Sequence, residues 1–138
     1  MSSVDKISLL NKIIIKCRQV FFSDSVTLWE QRYRLGGNSG QGSYGVLAGF
    51  KAKILNQFVE EFDVKSLVEF GCGDGSQLML ANYPHYVGLD VSQKAITICS
   101  EKFVDDKRKR FFLYNPYSFE GKTEQFKAEL ALSLDVIY

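Results

Sequence analysis

The sequence predicts a doubly wound α/β fold, and three observations carry the prediction. Short apolar runs bounded by glycine alternate with stretches of helical periodicity. Three alternating glycines, Gly71, Gly73 and Gly75, directly follow the first apolar run. An aspartate, Asp90, closes the second. In such sheets right-handed crossovers place helices on both faces, and ligands bind beyond the carboxyl ends of the strands where strand order reverses.

The elements follow in order. Residues 4–20 alternate apolar and polar positions at roughly helical spacing and read as an amphipathic helix. The apolar stretch Ile7 to Ile15 carries Asn11 and Lys12 and is too short to span a bilayer, and nothing there reads as a signal peptide. Ser23 or Asp24 is placed to cap a second, short helix running to about Tyr33. The glycine-rich stretch Gly36 to Gly45 reads as a loop that moves or wraps something. A long helix is expected over about 46–62, with Leu47, Phe50, Ile54, Phe58 and Phe62 forming its apolar face.

From there the period changes. Ser66 to Phe70 reads as a buried parallel strand, 76–82 as a short helix, and Tyr86 to Leu89 as a second strand. Ser92 caps an expected helix over about 93–103, with Ala95, Ile96, Ile98, Cys99 and Phe103 inward. Phe111 to Tyr114 is a third strand, and Leu130 to Ile137 a fourth after a polar connection.

Composition bounds the function. The 138 residues are 46% hydrophobic and 24% charged, ordinary for a soluble globular chain. A net charge of +1 gives no electrostatic case for nucleic acid or an anionic membrane as partner. The one basic run, Lys107 to Arg110, follows Asp105 and Asp106 and reads as a solvated connection. Cys17, Cys72 and Cys99 are far apart and odd in number, which argues against a disulfide framework or zinc site and for reduced thiols in the cytoplasm.

The chemistry-bearing run is Glu69-Phe70-Gly71-Cys72-Gly73-Asp74-Gly75-Ser76. Its glycines let the backbone turn sharply and approach a ligand. A dinucleotide fingerprint would need glycine where Ser76 stands. Glu69 can attract a ligand ammonium group. Asp90 ends the second strand, where a carboxylate can accept hydrogen bonds from ribose hydroxyls.

Val68 to Gly75 resembles the first motif of Rossmann-like (class I) S-adenosylmethionine-dependent methyltransferases, and Tyr86-Val87-Gly88-Leu89-Asp90-Val91-Ser92 resembles their second. The resemblance covers about residues 26 to 138. It implies a Rossmann-like, mainly parallel sheet, with S-adenosylmethionine as cofactor. Gly71, Cys72, Gly73 and Gly75 would pass under its methionine part, and Asp90 and Val91 would meet its adenosine. Asn115 stands where the family often has an adenine-contacting aspartate. Leu132 to Tyr138 resembles the fourth-strand motif, with Asp135 as a cofactor contact or loop cap. Trp29-Glu30-Gln31-Arg32-Tyr33 resembles a segment before the core of small-molecule methyltransferases. There Trp29, Tyr33 and Arg34 would cover the cofactor and pair with its carboxylate, and the loop to Gly45 would be a lid. Tyr44 is a candidate to face the acceptor. His85, before the second strand, is expected to be structural.

The implied organisation is N-terminal helices and lid over 1–45 and a partial cofactor-binding domain over 46–138. The implied activity is methyl transfer to a small molecule such as a sugar or other polar metabolite. Complete members have seven strands, so about four strands here make the fold incomplete, as in a truncated enzyme. The first strand would lie between the second and fourth, and the fourth would present an apolar edge to a second copy or a partner chain. Two other readings stand beside this one: a non-catalytic cofactor-binding or assembly module completed by another chain, and a nicotinamide-dependent oxidoreductase fragment. No metal site and no general base is identified.

Overall fold

The computed structural model describes residues 24–116 and 126–136. The expected helix over 4–20, the alternative cap Ser23, Cys17 and the last two residues of the fourth strand motif lie outside them.

Helix α1 (Ser25–Arg34) starts at Asp24, whose side chain accepts the Thr27 N–H at 2.8 Å. A 3-10 turn (Gln41–Ser43) leads into α2 (Gly45–Glu61). Strand β1 (Ser66–Phe70) and strand β2 (His85–Asp90) follow. Helix α3 (Gln93–Lys102) is capped by Ser92, which accepts the Ala95 N–H at 3.1 Å. Strands β3 (Lys109–Leu113) and β4 (Leu130–Ser133) complete the described elements. The strands form one all-parallel sheet in the order β3-β2-β1-β4, so the order reverses at β1, as expected. Val68 faces Val87 of β2 and Ala131 of β4 in register.

Alternation along the strands splits the core in two. Leu67, Tyr86 and Leu132 share one face with Val59 of α2 and with Ile96 and Cys99 of α3. Val68, Val87 and Leu89 share the other, where Phe126 and Ala128 pack against them. The expectation of helices on both faces is therefore met on one face only among the described residues.

Three other expectations change. The large apolar residues of α2 do not face the core: Val46, Phe50 and Phe62 are 89%, 62% and 63% exposed, and Leu47, Ile54 and Phe58 are also exposed. Ala48, Ala52 and Val59 are buried instead. Two apolar stripes share this helix, and the one with small side chains lets its backbone approach the sheet and the β1–β2 connection. The short helix expected over 76–82 is a run of turns ending in a single 3-10 turn, Leu78–Leu80. Strand β3 begins two residues earlier than expected, and β4 ends at Ser133, because Asp135 adopts a left-handed φ of 55°.

Two residues of the basic run, Arg108 and Lys109, pair with the carboxylate of Asp106. Arg108 Nε lies 2.9 Å from Asp106 Oδ1, and Arg108 and Lys109 hold the Asp106 carboxyl well below the usual range.

Candidate functional site

A cavity of about 230 Å³ opens at the carboxyl ends of β1, β2 and β4. Its floor is the turn after β1, where the backbone must adopt conformations that exclude side chains. Gly71 has φ +81° and a Cβ there would overlap the Val136 side chain; Gly73 has φ +58° and a Cβ would overlap Ser39 Oγ. Gly75, also at positive φ, lies outside the cavity. A Cβ on it would come within 2.8 Å of the Phe103 ring and 3.0 Å of Cys99 Sγ, so this glycine admits α3.

Asp90, at the tip of β2, is joined directly to this turn. The Gly73 N–H donates to its Oδ2 at 2.9 Å and the Ser92 N–H to its Oδ1 at 2.9 Å. Burial raises its pKa, and the N–H donors of Ser92 and Gly73 oppose the rise. The same carboxylate thus links the glycine turn to the start of α3 while lining the cavity.

Glu69, in the middle of the sheet, also lines the cavity. Burial pushes its pKa up to about 7, against the Tyr86 hydroxyl that donates to it and the positive charge of Lys51. Lys51, from α2, pairs with Asp135 across the cavity wall. Gly42 lies so close to Asp135 that any Cβ would overlap its carboxylate.

The glycine-rich stretch is strapped onto the turn below it. The Ser39 N–H donates to Asp74 Oδ2 at 3.1 Å while the Asp74 N–H donates to Ser39 Oγ at 2.8 Å. The Tyr44 hydroxyl also donates to Asp74, and Tyr33 Oη lies 2.9 Å from Ser39 Oγ. Burial alone would raise the Asp74 pKa; the Tyr44, Ser76 and Ser39 donors outweigh it and hold it at about 2. Tyr33 is itself buried, with its hydroxyl pKa raised first by burial. Helix α1 is fixed by Glu30, whose Oε2 accepts Ser92 Oγ–H at 2.7 Å and the Lys94 N–H at 3.0 Å.

Of the residues singled out in the sequence, Trp29, Tyr33, Glu69, Gly71, Cys72, Gly73, Asp90, Val91 and Asp135 line this cavity together. Arg34, Gly75 and Asn115 do not. The Arg34 guanidinium points to solvent and pairs with Glu30 at 2.5 Å, one helical turn away. Asn115 is exposed just beyond β3, where Tyr114 reaches the cavity instead. Tyr44 is engaged with Asp74 and Ser76 and does not line the cavity. His85 is exposed at the start of β2, the end of the sheet away from the cavity.

Sequence reasoning missed Lys51, Ser39, Gln77 and Tyr114. Lys51 carried no distinct signal, since a lysine on a helix is ordinary. Ser39 carried none, since nothing local shows that residue 39 will meet residue 74.

No family model matches this sequence, and no curated protein matches it. Among solved structures, a Podospora anserina methyltransferase with SAH bound is similar at a TM-score of 0.51 and 13% identity, over 91% of this chain and 57% of that one. The methyltransferase domain of bacterial CtHen1-C matches at a TM-score of 0.45 and 19% identity, over 54% of this chain and 44% of that one. The StiE O-MT structure matches at 0.36 and 27% identity, over 44% of this chain and 24% of that one. This chain spans less than two thirds of the length of each of these structures. By strand order, parallel pairing and the likeness to the Podospora anserina structure, the described residues have a Rossmann-like α/β fold.

Proposed function

We propose that this chain binds S-adenosylmethionine and serves methyl transfer to a small polar acceptor. The observation that carries the reading is the hydrogen bond from the Gly73 N–H to Asp90, which holds a side-chain-free turn and a buried carboxylate at one cavity.

The donor set fits this cofactor from end to end. Asp90, with Val91 and Tyr114 beside it, suits the adenosine: each carboxylate oxygen retains acceptor capacity for a ribose hydroxyl after taking one backbone N–H. Glu69 and Lys51 suit the amino-acid end, the acid for an ammonium and the lysine for a carboxylate. Lys51, rather than Arg34, is then the cation for that carboxylate. Trp29 and Tyr33 cover the cavity from α1.

When bound, this cofactor supplies an already activated methyl group on a sulfonium. The chain's own residues bind and orient it. The strap from Gly36 to Gly45 limits water, and positioning of this kind lowers the barrier to an in-line displacement. The SAH found in the Podospora anserina structure supports the same ligand class here. The choice of a sugar or similar polar metabolite as acceptor rests on the resemblance of residues 29–33 to small-molecule methyltransferases.

A second reading keeps the cofactor and drops the turnover: a binding or assembly module completed by another chain. The terminal position of β4, paired only with β1 among the described strands, favours it, since such an edge can receive a strand from a second copy or a partner. Calorimetry with S-adenosylhomocysteine and with NAD tests the shared premise. Binding of the first alone is expected, and binding of NAD alone overturns it. Transfer of radiolabelled methyl to candidate acceptors then separates enzyme from module.

A further inference from the structure

Glu69 sits two residues after Leu67 in β1 and so shares its helix-facing side of the sheet. It is 5% exposed and lines the cavity. A buried carboxylate is costly unless something holds it. Its holder is Tyr86 of β2, whose hydroxyl donates to Glu69 Oε2. The other oxygen, Oε1, accepts no hydrogen bond among the described residues. It is not sealed in either: among the described residues, Gln77 Oε1 is the one enclosed side-chain atom without a partner. Glu69 therefore has one anchored oxygen and one that keeps accessible surface where the residue lines the cavity.

The anchor is rigid and ligand-independent. Tyr86 is 1% exposed and does not line the cavity. Its ring stacks on Tyr83 with centroids 5.8 Å apart and lies 6.1 Å from the Phe111 ring. Burial raises its pKa well above the usual range, so the hydroxyl remains a donor at neutral pH. The other groups that face Glu69 come from several elements. Lys51 of α2, itself paired with Asp135, favours the ionised acid, and Asp90 of β2 opposes it. Tyr83, before β2, is held protonated by burial, and Cys72 of the glycine turn by its contact with Cys99 and by burial. Of these groups, Tyr86 alone donates a hydrogen bond to Glu69.

We infer that Tyr86 is a positioning residue for ligand recognition: its hydroxyl anchors Oε2 so that Glu69 presents an ionised Oε1 to the ammonium group of the bound amino acid. The inference rests on the cofactor reading above. Without the hydroxyl, Glu69 keeps its proton to higher pH and loses its fixed orientation. Tyr86 acts through Glu69, so its signature is a pH profile of binding that depends on the amine.

The test measures the affinity of S-adenosylhomocysteine and of its deaminated analogue, in which hydrogen replaces the amino group. Both are titrated on the full chain and on Tyr86→Phe at pH values on either side of about 7. In the unaltered chain, affinity for S-adenosylhomocysteine is expected to rise through about pH 7 and level off, and the analogue to show no such rise. Both ligands carry the ribose, so any titration of Asp90 cancels in the comparison. In Tyr86→Phe the rise is expected to move up by about one to two pH units, the scale of a hydrogen bond to a charged group. An unmoved rise overturns the inference, as does a matching change for the analogue or the absence of an amine-dependent rise in the unaltered chain. Should Tyr86→Phe fail to fold, the unaltered chain with isotope-labelled tyrosine and glutamate still decides. The Tyr86 Cζ and Glu69 Cδ NMR signals are expected to titrate with one midpoint and to shift more with S-adenosylhomocysteine than with the analogue. Separate midpoints, or equal shifts with both ligands, defeat the proposal. If the unaltered chain binds neither ligand, the cofactor reading itself has failed and takes this inference with it. If the amine-dependent rise is present and Tyr86→Phe leaves it in place, only the role of Tyr86 has failed.

Discussion

Gly73 donates its N–H to the Asp90 carboxylate at 2.9 Å, tying the turn after β1 to the tip of the neighbouring strand β2. Removing the carboxylate withdraws an acceptor from Gly73 and Ser92 at once. Asp90→Ala is expected to weaken S-adenosylhomocysteine by roughly 1–3 kcal/mol, and to lower stability by a similar amount, since two backbone donors lose their partner. Asp90→Asn keeps one acceptor oxygen and is expected to lose less of both. Calorimetry and chemical denaturation measure the two effects; unchanged affinity in Asp90→Ala would remove the ribose assignment.

Two glycines allow opposite outcomes from the same substitution. Gly73→Ala places a Cβ at φ +58° against Ser39 Oγ, so it is expected to destabilise by roughly 1–3 kcal/mol and loosen the strap. Gly49→Ala lies in α2 with open space around it, and is expected to stabilise by roughly 0.5–1 kcal/mol. Thermal melting of both variants checks the pair.

Glu69 makes stability pH-dependent in an uncommon direction for a carboxylate. Its folded pKa is raised from 4.5 to about 7, so the folded state holds the proton more tightly than the unfolded chain. The stability it contributes is complete below pH 4.5 and is lost as pH rises to about 7. Glu69→Gln is expected to flatten the denaturation free energy across that window. A slope that survives the substitution would assign it elsewhere.

Asp74 behaves in the opposite sense. Its pKa is depressed from 3.8 to about 2, so its contribution is present above 3.8 and lost as pH falls through about 2. At neutral pH, Asp74→Ala removes the acceptor for Ser39 and Tyr44. Amides of residues 36–45 are then expected to exchange hydrogen faster, with those of β1 and β2 unchanged. Equal exchange in the two proteins would show that the strap is held by other contacts.

The two faces of α2 differ in their tolerance of change. Phe50→Gln, on the exposed stripe, is expected to alter stability by no more than about 0.5 kcal/mol. Ala48→Leu, at a position 1% exposed, is expected to cost roughly 1–3 kcal/mol through overpacking. Urea denaturation of both variants tests which stripe faces inward.

Several features were legible in residues 66–103 because their causes are local. The strand at Ser66–Phe70, the glycine turn, Asp90 and the Ser92 cap each depend on a few neighbouring residues. Helix α2 shows where that stops. Its existence follows from periodicity, but its inward face does not, because Leu47, Phe50 and Ile54 outrank Ala48 and Ala52 on any hydrophobicity count. The close approach of α2 rewards small side chains, and that distance is set by the sheet and turn below. Arg34 and Lys51 make the same point within the site. A basic residue beside Tyr33 was the natural candidate, but the helical turn aims Arg34 at Glu30, while Lys51 arrives from another helix.

By itself the sequence determined the order of elements, the glycine turn and the carboxylate at a strand tip, all properties of contiguous residues. Tertiary structure alone decided the pairing of Ser39 with Asp74, the reach of Lys51 to Asp135, and the orphaned oxygen of Gln77. The physical reason is range. Backbone conformation responds to adjacent atoms, whereas hydrogen bonds and ion pairs between residues 35 or 84 positions apart exist only once packing fixes their distance.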